Sequence, residues 1–244
     1  MTPSDASGDR AQSHVVGVAL LLGIAVVSMA GLTASVGTLV QENAAGADAA
    51  RVADGFDAAL EPVEATGVHR GEVAFADGTL RSESRELRVL DRGGVDREVE
   101  IGALVFEAGD RRVTYLAGAV LRGTGDGARM VERPPFTASR AADGVLVVGA
   151  PRVGDPATVS GREVSLTLRT NVSHERVELG DGEYRLGVET RTPAAWERYF
   201  SERGRETTRR DFDDDGVESV VAAYDGTRTA YLVVHDLRTE VEDA

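Results

Sequence analysis

The sequence predicts an α+β fold: a long N-terminal helix, transmembrane in its first half and amphipathic in its second, followed by a mainly antiparallel β-rich head, a sandwich or meander with one short helix. Three observations predict it. No charge occurs between Arg10 and Glu42, and within that gap Val15–Val40 is apolar apart from a few hydroxyl residues. Beyond it, Ala45, Ala49, Val52, Phe56 and Leu60 recur at the spacing of one helix face. After Pro62 the chain breaks into many short β-favouring segments separated by glycine-containing turns.

The apolar run exceeds the ~20 residues that a spanning helix needs. Ser28, Thr33, Ser35 and Thr38 are tolerable there, because a helix can return their hydroxyls to its own backbone. A removable secretory signal fits less well. Its apolar core is ~7–15 residues after a basic segment, whereas this run is longer and follows MTPSDASGDR, acidic apart from Arg10. Small residues cluster along the helix: Gly17, Gly23, Ala30, Gly31, Ala34, Ser35 and Gly37. Pairs four apart, Ala30/Ala34 and Gly31/Ser35, suit close helix–helix packing, although glycine and alanine are common in any membrane helix. The amphipathic half then runs to Pro62, which ends it. One helix from His14 to Leu60 would be about 70 Å long at 1.5 Å per residue.

Composition narrows the function classes. Acidic residues number 41 and basic residues 27, a formal net charge of −14, which argues against a nucleic-acid partner. Every basic residue is arginine, and the acidic, lysine-free balance suggests a halophilic protein, since at 1 M salt the screening length is only ~3 Å. An arginine-rich codon bias would explain the missing lysine but not the acidic excess. There is no cysteine, which removes disulfides, thiolate metal sites and cysteine nucleophiles.

The stretch Arg10-Ala11-Gln12-Ser13-His14-Val15-Val16-Gly17-Val18 resembles the start of archaeal type IV pilins and archaellins, in which a short leader ends in a basic and a small residue before a polar residue and an apolar helix. The resemblance implies that Arg10, Ala11, Gln12 and Ser13 form a prepilin peptidase site cut between Ala11 and Gln12. It implies three regions: a leader over 1–11, a spine helix over 12–61 and an extracytoplasmic β-rich domain over 62–244. The sequence departs from bacterial-type pilins, which usually carry Glu at the fifth mature position, where Val16 stands here.

In the head, GEVAFADGTLR reads as a hairpin turning at Asp77-Gly78. Further turns are expected at Arg92-Gly93-Gly94, Gly125-Asp126-Gly127, Asp143-Gly144, Asp181-Gly182 and Asp225-Gly226. A short helix is expected from Thr192 to Gly204, with Pro193 at its first position and Trp196, Tyr199 and Phe200 on one face, seating it on the sheet.

Candidate chemistry is sparse. Asp211-Phe212-Asp213-Asp214-Asp215-Gly216 fits the front of a calcium loop, with carboxylates at Asp211, Asp213 and Asp215. The twelfth position holds Ala222 instead of the EF-hand Glu, so an isolated acidic loop binding Ca2+ competes with a solvated acidic turn. Asn171-Val172-Ser173 is a glycosylation sequon if the head is exported. Gly123–Gly127 lacks the context of a phosphate loop. His14, His69, His174 and His235 show no ligand spacing, and His235 and Asp236, adjacent in a strand, point to opposite faces. No enzymatic site stands out.

These readings favour a membrane-anchored, pilin-like surface protein with a structural or adhesive role, non-enzymatic, carrying no cofactor unless Ca2+. Its expected partners are the membrane, copies of itself or other pilin-like subunits, and a prepilin peptidase; nucleic acid is not among them. The alternative is a single-pass membrane protein whose head binds a ligand or cell-surface component without polymerising. Either places it at the cell membrane with the C-terminal domain outside.

Overall fold

The structure, a computed structural model, describes residues 8–60, 65–140 and 144–243; within helix α1 (Gly8–Leu60) side chains are described for residues 20–32 and 42–60. The chain forms two units, Met1–Ala44 and Ala45–Ala244. In the first, every residue from 20 to 32 is exposed, including Leu21 at 69%, Val27 at 73% and Met29 at 73%.

Among the described residues, no helix is long and apolar enough to cross a membrane. The expectation of a transmembrane first half is corrected on this point. The single-pass cell-membrane location rested on that span and is withdrawn with it.

The fold class is also corrected. Strand accounts for 57% of the structure against 21% helix, in one large mixed sheet rather than an antiparallel sandwich or meander. Its strands are β1 (Gly67–Glu83), β2 (Glu86–Asp91), β3 (Gly94–Glu100), β4 (Ala103–Ala108), β5 (Arg111–Leu116), β6 (Ala119–Arg122), β7 (Arg129–Glu132), β8 (Phe136–Ala138), β9 (Val145–Arg152), β10 (Val159–Glu189), β11 (Thr207–Arg210), β12 (Ser219–Asp236) and β13 (Glu240–Asp243). The main path runs β7-β6-β5-β4-β1-β10-β12-β9-β8; β2 and β13 pair with β10, β3 with β2, and β11 with β12. The sheet is mixed because β9 lies parallel to β12, Val148 opposite Leu232. Parallel neighbours need a long crossover, and the chain between β9 and β12, which includes β10, supplies it.

Strands run through several expected turns. β1 does not turn at Asp77-Gly78; both residues stay paired with β10 at Arg162 and Gly161. Gly78 serves close packing instead. A Cβ there would lie 2.5 Å from the Phe106 ring and 2.8 Å from the Glu107 carbonyl oxygen. β10 likewise passes Asp181-Gly182, where two register shifts, between Glu178 and Gly180 and between Gly182 and Tyr184, absorb the irregularity that the Asp-Gly pair signals. β12 passes Asp225-Gly226 in the same way. Arg92-Gly93 does connect β2 to β3.

Two cores lie on opposite faces of the β4–β6 region. On one, Ala49, Val52, Phe56 and Leu60 of α1 pack with Val73 and Phe75 of β1 and with Leu104 and Phe106 of β4. The helix approaches β1 closely: at Gly71 a Cβ would lie 2.4 Å from that of Ala59. On the other face, Ala103 and Val105 of β4 join Leu146 and Val148 of β9 and Val220, Ala222 and Leu232 of β12. Strand side chains alternate in direction, so successive β4 residues enter different cores, and the strand reads as one apolar run. Helix α2 (Pro193–Ser201) closes the second core with Trp196, Tyr199 and Phe200, all buried.

Candidate functional site

A charged cluster sits where β2, the end of β10 and the start of β12 meet. Arg88, in the middle of β2, is 2% exposed although it carries a full charge. Strand alternation explains its direction: the core residues Leu87 and Val89 point one way and Arg88 the other. Its guanidinium donates to Glu98 at 2.7 Å, to the Ser219 hydroxyl at 3.1 Å and to Asp213 at 3.3 Å. It also pairs with Glu86 and, at 3.6 Å, with Glu189. The Phe212 ring lies under it at 4.8 Å and under Arg210 at 4.5 Å.

Glu189, the last residue of β10, is 3% exposed. Burial, more than any neighbour, pushes its carboxyl up to about 7; Arg85 and Arg88 oppose the rise, while Asp213 and Asp215 add to it. Arg85, 3.8 Å from Glu189, is itself held below the usual guanidinium range by burial. The ion pairs continue outward. Glu83 binds Arg85, Arg81 at 2.7 Å and Arg112 at 3.0 Å, and Arg81 and Arg112 each reach Glu107 at 2.6 Å. Alongside lies a cleft of about 610 Å³, lined by Ser82, Glu83, Glu98, Glu100, Arg152 and Asp155 among others.

The loop Asp211–Gly216 borders the cluster. Carboxylate oxygens of Asp211, Asp213 and Asp215 lie within 4.8 Å of one another, as the alternating spacing anticipates. Asp211 accepts the backbone N–H groups of Asp214 at 2.9 Å and Gly216 at 3.0 Å, and Asp215 accepts that of Val217 at 2.7 Å. Asp213 is the residue shared with Arg88. The three carboxylates could hold one hard cation such as Ca2+. A second acidic group, Glu86, Glu189 and Asp213, encloses the Arg88 guanidinium, which already supplies the balancing charge.

The other sequence candidates are placed differently. Arg10, Ala11, Gln12, Ser13, Gly17, Ala34, Ser35 and Gly37 fall within α1, but their side chains lie outside the described residues. Gly23, Ala30 and Gly31 sit in the exposed run 20–32. Asn171 is half-buried inside β10, opposite Val68 of β1, and its backbone N–H donates to Leu237. The Gly123–Gly127 segment is a connection containing a single 3-10 turn. The sequence reading missed Arg88 and Glu189, and it missed that His174 and His235, which show no ligand spacing in the sequence, are directly opposed across β10 and β12.

No curated protein and no solved structure matches the chain. The family model that matches is described as a family of unknown function (DUF7289) and spans residues 10–240.

Proposed function

Since the chain belongs to this family of unknown function, we propose from its geometry that it is a structural or adhesive subunit of pilin-like build, which assembles through its N-terminal helix and uses the β-rich unit as its displayed part. The observation that carries this reading is the exposed segment 20–32. Leu20, Leu21, Leu22, Ile24, Val26 and Val27 follow one another around the helix, so apolar surface lies on every side. A helix apolar all round is stable only when covered. Helices of further copies, approaching over Gly23 and Gly31, provide that cover. The resemblance of residues 10–18 to the start of pilins supports the same reading.

The test is sedimentation velocity of the full chain in concentrated salt, with Leu21→Glu and Val27→Glu together as the comparison. The expected result is a concentration-dependent assembly in the wild type and a monomer in the variant, with unchanged circular dichroism from the sheet. A wild type that sediments as a monomer overturns the proposal.

A second reading has one observation in its favour, the acid- and arginine-lined cleft beside Glu98 and Arg152. On that reading the β-rich unit captures a polar ligand without assembling. A monomeric wild type would leave this alternative standing.

A further inference from the structure

We propose that His174 and His235 form a binding site for a divalent late transition metal, Cu2+ in particular. The two residues occupy directly opposed positions of β10 and β12. Their Nδ1 atoms are 3.0 Å apart, with ring centroids at 5.0 Å and ring planes at 84°.

The donor type selects the class of ion. Two imidazole nitrogens suit late first-row ions such as Cu2+ and Ni2+ rather than hard cations, and at 3.0 Å apart they stand close enough to share one ion at metal–nitrogen bonds of ~2.0–2.1 Å. Between these two, the order of affinities along the first transition row favours Cu2+.

The surroundings suit such an ion. His235 is 7% exposed and so held in place, whereas His174 is exposed and able to turn its ring. In the ion-free protein the two Nδ1 atoms share a hydrogen bond. Ion entry breaks that hydrogen bond: the donor's Nδ1 proton exchanges through solvent for one on its Nε2, and the exposed His174 ring turns so that its Nδ1 lone pair meets the ion together with that of His235. A cavity of about 380 Å³, lined by Pro135, Thr137, Val147, Gly149 and Val233 together with the two histidines, leaves room for water to complete the coordination. Among the described residues no carboxylate lines it, so the site is chemically distinct from the acidic loop 211–216 and favours a nitrogen-preferring ion over a hard cation.

The experiment is titration of the full chain with Cu2+ alone, followed by calorimetry and by electron paramagnetic resonance. The wild type is expected to bind one Cu2+ with a tetragonal spectrum showing two coupled nitrogens. In His174→Ala, affinity at this site should fall by at least about tenfold, and the two-nitrogen signature should be lost. His69→Ala should change neither. Because His174 is exposed, its removal leaves the core intact, and circular dichroism checks that it does. A two-nitrogen spectrum persisting in His174→Ala, or a wild type whose Cu2+ is bound by oxygen donors alone, overturns the proposal.

Discussion

The Asp48 carboxylate, buried on α1, accepts the backbone N–H of Ala76 in β1 at 2.9 Å, and the same oxygen takes that of Asp77 at 3.3 Å. One helical side chain thus satisfies two strand donors at the point where the helix meets the sheet. Asp48→Ala should destabilise the fold by about 1–3 kcal/mol, because both donors lose their partner. Asp48→Asn, which keeps an acceptor oxygen, should recover part of the loss. Chemical denaturation of the three proteins measures the series.

Arg88 is the guanidinium that Glu86, Glu98, Glu189 and Asp213 share. Arg88→Met keeps much of the side-chain volume and removes the charge. It should cost about 3–5 kcal/mol, the scale for breaking a buried ion pair from one side. Adding Glu189→Gln to Arg88→Met should return part of that loss, since one stranded carboxylate disappears. Equilibrium unfolding of the single and double variants provides the comparison, and strictly additive effects would contradict the contact.

The Glu189 carboxyl, pushed up from its ordinary 4.5 to about 7, makes a signed prediction about pH. In that interval the folded protein holds a proton that the unfolded chain releases. Stability should therefore fall as pH rises from about 4.5 through about 7, with the Glu189 contribution most favourable at the acidic end. Glu189→Gln should flatten this segment of the profile. Thermal melts at fixed salt across the interval would show the slope and its loss.

Tyr115 in β5 is 2% exposed, and among the described residues its hydroxyl finds no hydrogen-bond partner. Burial alone holds that hydroxyl well above its ordinary titration range. Tyr115→Phe removes an unsatisfied polar atom without opening a cavity. The variant should be as stable as the wild type or gain up to about 1 kcal/mol, read as an unchanged or raised melting temperature.

The parts legible in the sequence are those governed by local periodicity. The spacing of Ala49, Val52, Phe56 and Leu60 marks the face of α1 that is buried, and the aromatic face of α2 enters the core. Asp-Gly pairs misled because they report a local irregularity without saying whether a turn or a bulge resolves it. In β10 a bulge does, and the strand continues. The charged cluster was illegible for a different reason. Arg88 lies 125 positions from Asp213 and 131 from Ser219, and nothing in ELRVLD indicates that its arginine is covered. The histidine pair depends on register between strands 61 positions apart, which single-residue spacing does not encode.

β10 is 31 residues long and belongs to both cores, through Leu166, Leu168 and Val172 at one end and Tyr184, Leu186 and Val188 at the other. Neither half of the β-rich unit can melt while the other keeps this strand in place. Heating should produce one cooperative transition instead of two, and a cut within β10 would cost the molecule both halves at once.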